Sequence, residues 1–415
     1  MPAVLIVDDS RMFANMLTRR IERELNYGVV NAESMAEAAT ILQDHASELS
    51  SAVLDLTLPD SFAGEIVDLV APQLPSIVLT GNLSDAMRDH IWSRRIADYV
   101  LKEGNQSIDY VLAQVRRLHL NADIKTLIVD DSRLLTLQVS ELLTVHRYQV
   151  FHATDGVEAL EVLDQHPDIR LVITDYNMPR MDGFELVRSI RKRFSKDDMA
   201  IIGMSAAGNN IMSAKFIKNG ANDFLTKPFG SEEFYCRINH NMDMIEHINL
   251  IKDMSNKDYM TKLYNRRYFF DEGMQFFQRL LRKGEDVALA MLDIDRFKDI
   301  NDTYGHEAGD MAIKYIAAEL RGFFPAPHLI SRFGGEEFCI LLAGTPAEEL
   351  PALFENLRAR IEANVLRYAD EQIRFTLSGG VTARRQEPLE AMIRRADQLL
   401  YMAKTEGRNQ MQVEV

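Results

Sequence analysis

Val4-Leu5-Ile6-Val7-Asp8-Asp9-Ser10-Arg11 returns later in the chain as Thr126-Leu127-Ile128-Val129-Asp130-Asp131-Ser132-Arg133. Each copy opens a run of alternating strand and helix patterns, which predicts a parallel sheet with helices on both faces and ligands at the carboxyl ends of the strands. Each copy begins with an apolar run ending in two acids. A later run, Ala52-Val53-Leu54 in the first copy and Leu171-Val172-Ile173-Thr174 in the second, ends in Asp55 and Asp175 respectively. Carboxylates at adjacent strand ends repel unless a cation sits between them, so Asp8, Asp9 and Asp55, and likewise Asp130, Asp131 and Asp175, read as metal-holding pockets.

A different pattern follows the repeat. Phe333-Gly334-Gly335-Glu336-Glu337-Phe338 lies between the apolar runs Leu329 to Ile330 and Cys339 to Leu342. It reads as a β-hairpin whose tight turn takes φ > 0 at glycine. Successive strand residues face opposite sides, so Glu336 is expected to face a site and Glu337 to support it. The strand Val287 to Asp295 ends in Asp293 and Asp295, and acids brought together in this way need a divalent cation, with Mg²⁺ and phosphate the natural occupants. Asn301 to Asp310 is polar and broken by Gly305 and Gly309 ahead of a helical pattern from Met311 to Phe323. Lys404 and Arg408 stand four apart near a helix end that Gly407 would cap, which predicts two cations on one side of the chain.

A length of 415 residues suggests about three domains of ordinary size. The net charge of −15 argues against a nucleic-acid or anionic-membrane partner, because an acidic surface repels phosphate at long range. Cys236 and Cys339 offer neither a disulfide framework nor metal-ligand spacing, and a reduced cytoplasm is the simple expectation. The apolar start Ala3 to Val7 meets Asp8-Asp9 at once, and no apolar run nears the roughly 18 residues that span a bilayer, so neither a signal peptide nor membrane insertion is expected. The join near His119 to Ile124 reads as short and polar. From Glu232 to Met254 the residues Phe234, Ile238, Met242, Ile245, Ile248, Ile251 and Met254 recur every three or four positions. That spacing predicts one long helix in place of a flexible linker.

The order LDIDRFKDINDTYGHEAGD (292–310), RFGGEEF (332–338) and AKTEGRN (403–409), preceded by DYMTKLYNRRYF (258–269), resembles the GGDEF diguanylate cyclase domain. The resemblance implies Mg²⁺ ligands in Asp293, Glu336 and the main-chain carbonyl of Ile294, and a catalytic set of Glu336, Asp293 and Glu337. It further implies that Asn301 and Asp310 read guanine, and that Lys404 and Arg408 hold the triphosphate with help from Lys298. His306 is taken as structural.

Both copies of the repeat resemble the receiver domain of two-component response regulators. This implies phosphoacceptors Asp55 and Asp175, with Mg²⁺ held by Asp8 and Asp9 in one copy and Asp130 and Asp131 in the other. Lys102 and Lys227 would contact the phosphoryl group, Thr80 and Ser205 would be switch hydroxyls, and Tyr99 and Phe224 the coupled aromatics. The second copy keeps the full family pattern; the first has Ala63 where an Asp would sit and Glu103-Gly104 after its lysine, which puts the peptide geometry there in question.

The expected fold is therefore α/β: two doubly wound, flavodoxin-like receiver domains (1–120 and 123–245), a connecting signalling helix (246–258) and a GGDEF nucleotidyl-cyclase-like domain (259–415). The implied function is condensation of two GTP into cyclic di-GMP and pyrophosphate by a homodimer, gated by aspartyl phosphorylation from a histidine kinase or phosphotransfer protein. The alternative is a catalytically weak GTP- or cyclic di-GMP-binding scaffold. Pro325-Ala326-Pro327-His328 stands where product-inhibited members of the family carry Arg-x-x-Asp, which implies no strong feedback through that site.

Overall fold

A computed structural model describes residues 2–62, 64–81, 85–102, 104–206, 210–369, 371–383 and 388–415. Ala63 and Glu103, two of the departures noted above, lie outside the described residues. The chain divides into two compact units, Met1–Ile248 and Asn249–Val415.

The first unit contains two parallel sheets of identical topology. Strands β1 (Ala3–Val7), β2 (Gly28–Ala32), β3 (Leu49–Asp55), β4 (Ser76–Thr80) and β5 (Asp98–Leu101) lie in the order β2-β1-β3-β4-β5. Helices α1 (Arg11–Arg20), α2 (Met35–His45), α3 (Glu65–Val70), α4 (Asp85–Trp92) and α5 (Asn105–Asn121) cover them. Alternation along β1 explains the two layers: Leu5 and Val7 join the core under α2 and α3, whereas Val4 and Ile6 join that under α1 and α5. Strands β6 (Lys125–Val129), β7 (Gln149–Ala153), β8 (Ile169–Asp175), β9 (Ala200–Ala206) and β10 (Asp223–Lys227) repeat the order as β10-β9-β8-β6-β7. Their helices are α6 (Arg133–Val145), α7 (Gly156–Gln165), α8 (Gly183–Arg191), α9 (Asn210–Asn219) and α10 (Ser231–Asn256). The repeated serine has a structural task. Ser10 and Ser132 accept from the backbone N–H groups of Phe13 and Leu135 and so cap α1 and α6 directly after the strand-end acids.

The join is short, as expected: α5 runs to Asn121, which is fully buried, and β6 begins at Lys125. The long helix is present as α10, yet its stripe is not uniform: Phe234, Ile238, Met242 and Ile245 are buried, whereas Ile251 and Met254 are 65% and 75% exposed.

In the second unit β11 (Tyr264–Asn265), β12 (Val287–Ile294), β13 (Leu329–Arg332), β14 (Glu337–Ala343), β17 (Leu377–Thr382) and β18 (Met411–Glu414) form a sheet in the order β11-β13-β14-β12-β17-β18. A small ribbon, β15 (Leu366–Tyr368) and β16 (Glu371–Ile373), stands apart from it. Every residue of β12 is buried, and its side chains alternate between two layers. Ala288, Ala290, Leu292 and Ile294 pack with α12 (Phe297–Tyr304), α13 (His306–Phe323) and α14 (Leu350–Ala363); Val287, Leu289 and Met291 pack with α11 (Arg266–Lys283) and α15 (Leu389–Thr405).

The helix expected from Met311 begins five residues earlier, at His306, and Asn301 is itself helical, in α12. Gly309 is therefore not a breaker. A Cβ there would stand 2.0 Å from Asn301 Oδ1, so glycine is what lets α12 lie against α13.

Candidate functional site

In the first of the two repeated pockets the three acids gather. At the end of β1 Asp8 is buried, at the end of β3 Asp55 is 7% exposed, and exposed Asp9 stands beside them. Ligand oxygens of the three lie within 4.8 Å of one another, a hard-oxygen set suited to a divalent cation. Lys102 Nζ reaches both Asp8 (2.8 Å) and Asp55 (2.6 Å). Burial pushes the Asp8 carboxyl up, and Lys102 offsets this only in part. In the second pocket Lys227 Nζ lies 2.8 Å from Asp130 and 2.5 Å from Asp175, and Asp131 is exposed. Main-chain amides also orient the acids: Asp55 accepts from Thr57 N–H at 3.2 Å and Asp175 from Asn177 N–H at 2.8 Å. Thr80 is buried at the end of β4, and Ser205 is half-buried near the end of β9.

The two aromatics part company. Phe224, on β10, packs against Phe216 inside its own domain, with ring centroids 5.5 Å apart. Tyr99, on β5, donates its hydroxyl to Glu232 Oε1 at 3.2 Å, in the first turn of α10, and Arg88 pairs with the same carboxylate. Around them Trp92 stacks on Tyr235 (5.9 Å), Tyr235 stacks on His146 (3.7 Å), and His146 Nε2 donates to Ala97 O at 2.8 Å. His146 is fully buried, which depresses its pKa to about 4 and keeps the imidazole neutral. Sequence reading missed Glu232, Tyr235 and His146. Their partners lie far away along the chain, and a single acid or aromatic on a helix carries no signal of what it meets.

In the second unit Asp293 is the penultimate residue of β12, opposite Glu337 on β14 and Ser378 on β17. Lys404, in the last turn of α15, reaches it at 2.8 Å. Burial raises the Asp293 carboxyl to about 6; Lys404 opposes the shift, and the charges of Glu336 and Glu337 add to it. Both hairpin acids thus bear on Asp293. Asp295 turns away: it is buried and accepts from Thr376 Oγ1 (2.7 Å), Ser378 Oγ (2.7 Å) and Asn409 N–H (2.9 Å), so it fastens the loop after α15.

Two local expectations fail. Neither Gly334 nor Gly335 adopts positive φ; instead a Cβ at Gly334 would meet Glu337 Oε2 at 2.4 Å, so that glycine makes room for a carboxylate. Lys404 and Arg408 do not share a helix face. The helix ends at Thr405, Gly407 turns the chain with φ +127°, and Arg408 follows in the left-handed region at φ 66°. Asn301 and Asp310 are both half-buried on the adjacent helices α12 and α13, while Lys298 and His306 are exposed.

Residues 255–410 match the family described as diguanylate cyclase, GGDEF domain, and residues 126–239 match the response regulator receiver domain. Response regulator PleD of Caulobacter vibrioides is 27% identical over 274 residues, 61% of this chain and 60% of that protein. Diguanylate cyclase DgcP of Pseudomonas aeruginosa is 45% identical over 157 residues, 38% of this chain and 23% of that protein. The chain thus spans under two thirds of these curated relatives. A solved two-component system response regulator/GGDEF domain protein aligns over 59% of this chain and 100% of its own at 38% identity, with a TM-score of 0.54. Among the described residues no helix is long and apolar enough to cross a membrane. With a receiver domain and a GGDEF domain in one chain, and with a solved neighbour covered along its whole length, the chain belongs to the two-component response regulator/GGDEF domain proteins.

Proposed function

We propose that the chain is a phosphorylation-gated diguanylate cyclase that condenses two GTP into cyclic di-GMP and two pyrophosphates. The observation that carries this reading is the Asp293 centre. Its carboxyl, raised to about 6 beside Glu336 and Glu337, has a single lysine in contact and is short of positive charge. Asp293, Glu336 and the Ile294 carbonyl would hold Mg²⁺, which when bound would offset charge on a triphosphate. Asn301 and Asp310 would read guanine, Asp310 accepting from its N1–H and amino group. Lys404 and Arg408 would hold the triphosphate, and Lys298, on the first turn of α12, has the reach to assist.

Each site takes one GTP, so two copies of the chain must face each other. The 3′ hydroxyl of one GTP attacks the α-phosphorus of the other, the bond to the β-phosphate breaks, pyrophosphate leaves in line, and Glu337 receives the hydroxyl proton. Asp55 and Asp175 would take phosphate from a histidine kinase or phosphotransfer protein, with Mg²⁺ at Asp8, Asp9 and at Asp130, Asp131. That makes the N-terminal domain a second receiver, a reading supported by its shared topology and its matching lysine bridge. Phosphorylation would act by shifting how two chains pair. A cytoplasmic site of action fits a histidine-kinase partner.

The test is conversion of GTP with Mg²⁺, followed by chromatography of the nucleotides, with and without beryllofluoride. Cyclic di-GMP made faster with the mimic is expected, and Glu336→Gln should lower the rate about a hundredfold or more. Failure of both forms to make cyclic di-GMP while GTP still binds would sink the reading in favour of a binding scaffold.

A further inference from the structure

Beside the Asp293 centre lies a cavity of about 570 Å³, within the range of small-molecule sites, bounded by α12, the strand leading into β17 and the loop after α15. Three arginines stand in its wall: Arg296 at the start of α12, Arg374 before β17, and Arg408. Acids outnumber bases 62 to 47 in this chain, so an arginine ordinarily finds a carboxylate. Four arginines elsewhere in the unit do, Arg332 with Asp258, Arg358 with Glu355 and Glu362, Arg360 with Glu319, and Arg395 with Glu414, while Arg282 and Arg321 bond main-chain carbonyls and Arg266 lies over aromatic rings. The side chains of Arg296, Arg374 and Arg408 have no such partner among the described residues.

The acids nearby do not neutralise them. Asp295 spends its oxygens on Thr376, Ser378 and Asn409, and Glu362 is taken by Arg358 and by Asn409 Nδ2. Asp299 is the remaining carboxylate in the wall, against three guanidinium groups. Half-buried Tyr304 and Phe375 supply apolar surface. Guanidinium forks left open around one concavity suit an anion with several oxygens in a row, and bidentate pairing to phosphate is the strongest contact they make.

We propose that Arg296 and Arg374 complete, with Arg408, a subsite for a pyrophosphoryl group, either as the tail of a bound nucleotide or as free pyrophosphate. The inference rests on the cyclase reading for its source of ligand, but its test does not. Calorimetric titration of the full-length protein in Mg²⁺-free buffer, once with inorganic pyrophosphate and once with GTP, reads binding without turnover. Arg296→Ala and Arg374→Ala are each expected to weaken pyrophosphate binding about tenfold, the worth of one charge-assisted contact. Arg374→Lys should recover part of the loss, and exposed Arg367→Ala, outside the cavity, should bind as the wild type does. Weakening of both ligands identifies the nucleotide tail as occupant, and weakening of pyrophosphate alone identifies the free anion. Wild-type affinity for both ligands in variants that melt like the parent would overturn the proposal. Arginine-dependent pyrophosphate binding in a protein that makes no cyclic di-GMP would defeat the cyclase reading and leave this subsite standing.

Discussion

In the N-terminal sheet Lys102 lies 2.8 Å from Asp8 and 2.6 Å from Asp55; in the next sheet Lys227 lies 2.8 Å from Asp130 and 2.5 Å from Asp175. The lysine bridge is alike in the two pockets, but among the described residues Asp8, Asp9 and Asp55 alone bring ligand oxygens of three acids within 4.8 Å of one another, and the flanking sequences differ. Their aromatics are not alike. Phe224 ends in its own core, whereas Tyr99 ends on Glu232, in the first turn of the helix that leaves the second domain. The bridge from lysine to two buried carboxylates occurs twice, and the contacts leading to α10 differ between the two copies. From the second pocket the route is along the chain, since Lys227 stands four residues ahead of α10. From the first it crosses a domain interface, through a hydroxyl that phenylalanine lacks.

The hardest test of the pockets' equivalence is to remove each lysine. Lys102→Met and Lys227→Met leave two buried carboxylates facing each other, which should cost each variant about 2 kcal/mol or more of stability. Urea unfolding of the full chain is expected to give losses of similar size, and Mg²⁺ should recover part of both by standing in for the ammonium group. A clearly smaller loss at Lys102 would break the comparison and make the N-terminal pocket an ornament of the fold.

What was legible in the sequence follows the same division. The strand-end acid pair and its capping serine repeat at fixed spacing, and the lysines follow in the same order at 94 and 97 residues after Asp8 and Asp130, so the pockets could be read from Asp8-Asp9-Ser10 and its copy. The acidic hairpin was legible for the same reason, being local. Its glycines were misread because the turn they form is limited by the volume of Glu337 and not by φ, and side-chain volume across a turn leaves no mark on spacing. Gly309 was misread as a breaker because its neighbour Asn301 comes from another helix. The Tyr99 to Glu232 bond joins residues whose only link is the packing of two domains, and no pattern within either domain encodes it.

The difference between the aromatics can be measured directly. Tyr99→Phe keeps the ring and removes one hydrogen bond to a carboxylate, a loss of about 1 kcal/mol. It is expected to lower beryllofluoride stimulation of cyclic di-GMP synthesis several-fold. A double-mutant cycle with Glu232→Ala should return a coupling of about that size, because the two changes remove the same contact. Phe224→Leu should instead cost its own domain about 1 kcal/mol of ring packing. Paired with Glu232→Ala it should show additivity, and a coupling there equal to that of Tyr99 would erase the distinction between the two routes.

The smallest effect concerns the residue before each aromatic. Asp98 accepts from Tyr110 Oη at 2.7 Å and from Tyr99 N–H, whereas its counterpart Asp223 pairs with Arg237 at 3.1 Å. Burial lifts the Asp98 carboxyl to about 6, the hydrogen bonds from Tyr110 and Tyr99 oppose this, and the charge of Glu232 adds to it. A carboxyl raised above its unfolded value of 3.8 contributes stability that is full below that value and is lost as pH climbs through about 6. Asp98→Asn, which cannot ionise and still accepts from Tyr110, should therefore flatten part of the fall in melting temperature between pH 5 and pH 7. Asp223→Asn should instead lose an ion pair and melt lower than the parent at pH 7. If Asp98→Asn leaves the slope unchanged, the carboxyl beside Tyr99 is no more constrained than an ordinary surface acid, and the interface route would rest on the tyrosine hydroxyl alone.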